Sequence, residues 1–475
     1  MTSSNKPTKA VFACVNCDAQ FPKWSGQCLE CGQWGTVQAE AGVPSMATVK
    51  PAAVISRAKP AAVTALADVT AGEEARWPCG LGELDRVFGG GLVPGSVTLL
   101  GGEPGVGKST LALMLADRAA ASRGNSLYVS GEESAGQVKM RADRLGLKAK
   151  GLKFLGATDA DVIAATIEAE RPAVVVIDSI QMLRSAEVQN EAGTVSQVRT
   201  AAGKLVAVAK VTGVPVIIIG HVTKDGTVAG PKTLEHIVDT VLSFEGERGY
   251  PVRILRALKN RFGSTDETGL FEMVGAGLVE IQNASGYLLE EREPGVPGGA
   301  VSCVMEGQRP MLIEIQALVR PTTFGYPTRK CSGFDLARLE MLIAVLGKRA
   351  GLDLGGHDVF VNVVGGLRVA EPAPDLAVLL ALASAYRDQP LPAGLVAWGE
   401  VGLAGEIRPV PAAERRLAEV ATMGLDTALT ALPRRSDRRI TPKLTLIETR
   451  SVAEAVKLVA SGRPSKPAVM PTPAE

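Results

Sequence analysis

The residues best placed to do chemistry in this chain are Gly102-Glu103-Pro104-Gly105-Val106-Gly107-Lys108-Ser109-Thr110, between an apolar run at 97–100 and a helical pattern at 111–115. Glycines at this spacing let the backbone turn tightly and bring successive N–H groups against phosphate oxygens, while Lys108 can reach the β- and γ-phosphates and the Ser109 hydroxyl can hold Mg²⁺. A helix opening at Lys108 adds its positive dipole end. Strand, spacing and helix agree on a P-loop, so the chain is expected to bind a nucleoside triphosphate. Downstream, the β-branched run 173–177 ends in Asp178-Ser179. This is a Walker B arrangement, in which Asp178 orients Mg²⁺. A third acidic site, Gly131-Glu132-Glu133-Ser134, follows the strand pattern at 126–130. A carboxylate there could polarise an attacking water, or both glutamates could simply favour the start of the next helix; position alone leaves both open.

A second chemistry is metal binding. Cys14 and Cys17, ten residues, then Cys28 and Cys31 have the spacing of a four-thiolate Zn²⁺ site. All four positions are filled and no histidine is nearby, so such a zinc would be structural. Trp24 and Trp34 are expected to pack on this ribbon. Cys79, Cys303 and Cys331 are scattered and read as small apolar fillers.

The cations come next. Lys259 and Arg261 in Lys259-Asn260-Arg261-Phe262-Gly263 follow a strand pattern and would project to one side at period two. A pair so placed could reach a neighbouring subunit's γ-phosphate, as arginine fingers do. His221 ends the strand pattern 216–220 and could sense the same phosphate or be solvated. Segments 185–199 and 223–233, the latter carrying Lys224 and Lys232, are placed like loops facing a central channel. Lys224 and Lys232 could contact phosphates or only water.

The elements that must position these residues can be read coarsely. Between 77 and 285, apolar strand patterns at 97–100, 126–130, 174–178, 216–220, 238–244 and 253–258 alternate with helical stretches. That is the pattern of a mainly parallel sheet wrapped by helices, with ligands at the carboxyl ends of the strands. The expected organisation is a zinc ribbon at 8–36, a linker at 37–76 and the α/β core at 77–285. A boundary at 286–298, a second α/β region at 299–460 and a disordered tail at 461–475 complete it. At 475 residues the chain exceeds what one core usually supports. Lys and Arg total 51 against 50 for Asp and Glu, so any nucleic-acid contact must come from local patches. The first residues lack the apolar core of a signal peptide, and no apolar run approaches the ~20 residues of a membrane span. A soluble, cytoplasmic protein without membrane contact is expected.

The four-cysteine ribbon, the P-loop and the segment 259–263, in this order, resemble the RadA/Sms family of bacterial recombination proteins. The resemblance covers nearly the whole chain. It implies a RecA-like ATPase core, related to replicative hexameric helicases and assembling as a homo-oligomeric, hexameric ring. It also implies binding of single-stranded and branched DNA, ATP-driven branch migration and the recombinase RecA as a partner. Lys108, Ser109 and Asp178 match the nucleotide and Mg²⁺ positions; Glu132 matches the catalytic glutamate better than Glu133 does. Lys259 and Arg261 resemble cations that complete a neighbour's site, while His221 and the lysine loops would couple to DNA.

Residues 299–460 resemble the proteolytic domain of Lon, which raises an ATP-dependent protease as a rival function. That chemistry needs a serine nucleophile and a lysine base. Asp375 stands at the nucleophile position and Glu414 at the base position, and neither can perform it. The expectation is a retired protease fold kept as a platform for assembly or DNA, with Asp375 capping its helix and Glu414 in a first helical turn. Arg408, Arg415, Arg416 and the run Arg434, Arg435, Arg438, Arg439 could track phosphates or be solvated. A non-enzymatic ATP switch sharing the ATPase core is a third possibility.

Overall fold

A computed structural model of the protein describes residues 12–14, 20–21, 23–28, 33–39, 76–221, 234–247, 249–323, 325–431 and 444–460. The N-terminal part is a small antiparallel sheet of β1 (Phe12–Cys14), β2 (Gln20–Phe21) and β3 (Val37–Ala39), ordered β2-β1-β3.

The main body alternates strand and helix. In chain order it comprises α1 (Gly82–Phe88), β4 (Val97–Gly102), α2 (Lys108–Arg123), β5 (Ser126–Ser130), α3 (Ala135–Arg144), β6 (Leu152–Leu155), α4 (Ala160–Glu170) and β7 (Val175–Asp178). Then follow α5 (Val195–Thr212), β8 (Val216–His221), β9 (Thr240–Glu245), β10 (Val252–Asn260), β11 (Thr268–Val274) and β12 (Gly277–Glu280). They form one sheet ordered β12-β11-β10-β9-β4-β8-β7-β5-β6. From β9 to β6 every neighbour pair is parallel, and β10 to β12 extend the sheet antiparallel. The three strands absent from the sequence reading are β6, β11 and β12. β6 is a four-residue edge strand, and β11 and β12 meander back antiparallel without helices between them to mark their ends.

Burial on both faces explains the β-branched runs. In and beside β7, Val174 and Val176 pack into the core under α1, α2 and α3, while Val175 and Ile177 pack into the core under α4 and α5. Each such side chain contributes roughly 1.5–3 kcal/mol by leaving water, which fixes the register of the strands that carry functional residues at their ends. The helix starts differ: α3 has a capping box from Ser134 and Gln137, and α4 is capped by Asp159, but α2 starts at Gly107 with no side-chain cap.

The C-terminal part starts with α6 (Ala284–Leu289), which lies across the start of the expected boundary segment and places Leu288 in the C-terminal core. There follow β13 (Gly299–Glu306), β14 (Arg309–Pro321), β15 (Arg329–Ser332), α7 (Leu336–Ala350), β16 (His357–Val363), α8 (Asp375–Arg387) and β17 (Leu395–Trp398). The short hairpin β18 (Glu400–Val401) and β19 (Ile407–Arg408) precedes α9 (Ala413–Thr422), β20 (Thr427–Thr430), β21 (Thr445–Glu448) and α10 (Val452–Ala460). The sheet is mixed, ordered β15-β16-β14-β13-β17-β20-β21. Val252, Ile254, Leu270 and Ile281 from the first sheet's region join this second core. A buried ion pair, Arg309 to Glu83, ties α1 to β14. None of the described helices is long and apolar enough to cross a membrane.

Candidate nucleotide-hydrolysis site

β4 is central, paired in parallel with β8 on one side and β9 on the other, and its carboxyl end delivers residues 102–110. Gly105 has φ +81° with open space where a side chain would stand. A Cβ on Gly107, at φ +114°, would lie 2.6 Å from Met273 Cε, so only glycine gives this close approach at a left-handed backbone. Lys108 is buried at the first position of α2, and its Nζ donates to the carbonyls of Gly102 and Glu103, both at 2.9 Å. Burial lowers its pKa, while the carboxylates of Asp178 and Glu132 pull it back up. Both acids therefore face Lys108 closely enough to act on it. Ser109 is half-buried beside it, and Glu103, Pro104 and Gly105 are exposed.

β5 and β7 are adjacent, with Ser130 in register with Asp178, so their carboxyl ends bring residues 131–134 beside Asp178. Glu132 Oε1 accepts from Ser179 Oγ at 2.6 Å. Glu133 points elsewhere and pairs with Arg141 of α3. The structure thus separates two glutamates that position alone left equivalent. Asp178 Oδ2 accepts from the buried Tyr128 hydroxyl at 2.5 Å and lies 4.0 Å from Arg141 Nη1. Burial and the Asp178 carboxylate hold the Tyr128 hydroxyl far above its usual pKa, so it remains a donor. Tyr128, Ser179 and Arg141 were missed by the sequence reading. Tyr128 stands two residues before Ser130 on one strand, and Arg141 lies seven residues, two helical turns, after Ser134. Those periods place Tyr128 on the same strand face as Ser130, and Arg141 on the helix face below Ser134.

Comparison with known proteins joins this geometry. A family model described as an AAA domain matches residues 68–227. The chain is 45% identical to the DNA repair protein RadA of Bacillus subtilis over 460 residues, covering 96% of this chain and 99% of that one. It is 46% identical to the protein of that name from Pseudomonas aeruginosa over 430 residues, and 45% identical to that of Escherichia coli over 427; each alignment covers 89% of this chain and 93% of the relative. The chain belongs to the RadA family.

In this RadA-family chain Lys259 and Arg261 do not join the P-loop of the same molecule. β10 runs antiparallel to β9, and Asn260 pairs with Thr240, which pairs with Thr98 at the start of β4. The pair therefore sits at the amino edge of the parallel strands, roughly 13 Å along β4 from Gly102 at ~3.3 Å per residue. The simple period-two reading is modified by a register shift between Ala257 and Lys259, and Arg261 lies beyond the strand. Both cations still converge on 235–239. Lys259 Nζ donates to the carbonyls of Glu235 (2.5 Å) and Val238 (2.8 Å), and Arg261 meets Asp239 Oδ1 at 3.3 Å. Burial and the nearby Arg261 lower the Lys259 pKa. His221 ends β8 with its backbone in register with Gly102. Lys224 and Lys232 lie outside the described residues, as does the run from Arg434 to Arg439.

Of the cysteines, Cys14 and Cys28 are buried together with Val37 in the small N-terminal core, and Cys14 Sγ lies 3.2 Å from Thr36 Oγ1. Cys17 and Cys31 lie outside the described residues. Among the described residues no group of three or more His, Cys, Asp or Glu is placed to hold a metal ion. Trp24 and Trp34 both lie over Gly26 of this segment, where a Cβ would stand 3.7 and 3.6 Å from their rings. They are 63% and 74% exposed, although Trp24 Nε1 donates to the Val37 carbonyl at 2.9 Å.

In the C-terminal part Asp375 is wholly buried at the first position of α8. It does not cap the helix, whose N-cap is Pro374. It takes two bonds from Arg338, one of them 2.5 Å from Nε, and a third from the Val401 N–H at 3.1 Å. Burial pushes its carboxyl up and the Arg338 bonds pull it down; Asp375 in turn raises Arg338. Glu414 is exposed in the first turn of α9. Of the arginines considered for phosphate, Arg416 is withdrawn: it is fully buried, 2.7 Å from Glu371 Oε2. Arg408 pairs with Glu406 at 2.6 Å, and Arg415 is exposed.

Proposed function

We propose that the chain is a DNA-repair ATPase that assembles as a hexameric ring and hydrolyses ATP between subunits. On this reading it uses that turnover to drive branch migration on single-stranded and branched DNA, in the cytoplasm and with the recombinase RecA as partner. One observation carries the reading: Lys108, Glu132 and Asp178 gather at the carboxyl edge of the sheet, while Lys259 and Arg261 stand together at the opposite edge. A site split this way is completed when the second edge comes from a neighbouring copy.

Residues 102–110 would wrap the triphosphate, with Lys108 neutralising its outer phosphates. Ser109 and Asp178 are the residues fitted to hold Mg²⁺, which supplies charge neutralisation at the phosphates when bound. Glu132, held by Ser179, would take a proton from the attacking water. Lys259 and Arg261 would meet charge developing on the neighbour's γ-phosphate. Cys14, Cys17, Cys28 and Cys31 would hold a structural Zn²⁺, and the Lon-like C-terminal domain would serve as a platform without peptidase chemistry. The locked Asp375 is the reason: a carboxylate in a three-bond clasp is no nucleophile for a peptide.

Subunit mixing tests this. Lys108→Ala and Arg261→Ala are each expected to lose ATPase activity, by about 10³-fold for the arginine. Mixed oligomers should regain activity, because some interfaces pair an intact P-loop with an intact Arg261. Two inactive variants that never complement would refute a shared site, and turnover indifferent to single-stranded DNA would refute the DNA-coupled role.

A further inference from the structure

We propose that Arg141 is a positioning residue that, together with Tyr128, assigns separate tasks to the two adjacent glutamates and to the two oxygens of Asp178. The inference rests on the ATPase reading above. Arg141 reaches in from α3, an element outside the P-loop and the strands. Its Nη2 pairs with Glu133 Oε1, and its Nη1 stands 4.0 Å from Asp178 Oδ2. The Tyr128 hydroxyl binds that same oxygen at 2.5 Å. The Tyr128 bond sets the rotation of the carboxylate and the Arg141 charge lies on the same Oδ2 side, so Oδ1 is the oxygen they leave for the Mg²⁺ side. Glu132 is kept out of this clasp by its bond to Ser179.

Electrostatics gives Arg141 its importance. Glu132, Glu133 and Asp178 place three negative charges at the ends of two adjacent strands, against the single cation Lys108 on the loop. Like charges gathered at one edge repel each other. Arg141 offsets Glu133 directly and leaves Glu132 as the carboxylate free to activate water. Two atoms of the clasp, Arg141 Nη1 and Glu133 Oε2, are buried with no hydrogen-bond partner. Orphaned polar atoms cost stability and need a reason to persist. Here Nη1 stands 4.0 Å from Asp178 Oδ2 and is not spent on a local carbonyl.

The test uses the full chain. Arg141→Gln should lower kcat about 10–100-fold, the range for groups that orient metal-binding residues, and raise the Mg²⁺ concentration needed for half-maximal turnover. Adding Glu133→Gln to Arg141→Gln should recover much of the loss, since it removes the charge that Arg141 offsets. Tyr128→Phe should shift the Mg²⁺ requirement in the same direction by less. A merely structural arginine would lower thermal stability without moving the Mg²⁺ requirement, and Glu133→Gln would not rescue it. A second readout needs no turnover: a fluorescent ADP analogue titrated with and without Mg²⁺ should lose its Mg²⁺-dependent gain in affinity in Arg141→Gln while its Mg²⁺-free affinity stays. Wild-type Mg²⁺ dependence in Arg141→Gln would overturn the inference and leave the ATPase reading intact. Unchanged turnover in Lys108→Ala would overturn that reading, and the nucleotide titration would still judge Arg141. Mg²⁺-independent binding by the wild type would overturn both.

Discussion

Among the described residues, two helices begin with a buried charge, and they treat it in opposite ways. α2 opens with Lys108, α8 with Asp375. Asp375 is closed in by two bonds from Arg338 and one from the Val401 N–H, all made within the chain. Lys108 has only two carbonyls of its own loop, beside a helix start without a side-chain cap and a glycine turn open to solvent. A group meant to receive a ligand must hold partners it can give up. One locked into strong mutual bonds can only support the fold. The same local feature thus separates a site that works by exchange from one that works by staying shut.

Changing the first residue of each helix should therefore produce opposite losses. Lys108→Met is expected to cut ATP turnover at least 10²–10³-fold, the effect of removing one preorganised charge-stabilising donor. Its unfolding free energy should move by no more than about 1 kcal/mol. Two modest hydrogen bonds are lost, and a desolvated cation is lost with them. Steady-state turnover beside urea unfolding checks both halves. A large loss of stability would show that Lys108 is structural in the same sense as Asp375.

Asp375→Ala should do the reverse. Removing one partner of a buried pair leaves an uncompensated charge, which costs 3–5 kcal/mol when both groups are fully buried. Arg338 is partly exposed, so about 3 kcal/mol is expected here, with turnover per folded molecule unchanged. Replacing both residues, Asp375→Leu with Arg338→Met, should recover most of that loss. A double variant as unstable as the single one would mean that the pair also sets the position of α8 and does more than satisfy its own charges.

How much of this contrast was legible in the sequence depends on distance along the chain. The P-loop and Asp178 could be read because strand, turn and helix are local and each leaves a pattern. The pairing of Arg338 with Asp375 spans 37 residues, and the bond from Tyr128 to Asp178 spans 50, so no period or spacing announces either. Position alone did not separate Glu132 from Glu133, and only the family resemblance favoured Glu132, because their difference lies in which neighbour each meets, Ser179 or Arg141. The register shift before Lys259 depends on the partner strand β9, which the strand's own residues do not encode. Arg416 read as a surface cation, for phosphate or for water, since nothing local reveals that Glu371 and the Cys303 carbonyl enclose it.

Glu314 sharpens the comparison from inside the C-terminal half. It is 5% exposed and lines a cavity of about 590 Å³ over β14, β15 and β16, with Gln316, Lys330, Phe360 and Asn362 on the same wall. Burial raises its pKa; a bond from Gln316 and the charge of Arg292 only partly oppose that. Burial shifts it toward its neutral form, as it does Lys108 and Asp375. A carboxyl raised in the folded state binds its proton more tightly there than in the unfolded chain. Stability from that group is full below the unfolded value, about 4.3, and falls as pH rises through the folded pKa. Glu314→Gln removes the dependence, so the variant should melt about 1–2 °C above the wild type at pH 7. That difference should close as pH falls toward 4, where both proteins carry a neutral side chain. Differential scanning at several pH values reads the difference directly, because other titrating groups are shared. A variant that melts lower at pH 7 would mean that its hydrogen bonds and nearby charge more than compensate the buried Glu314 carboxylate.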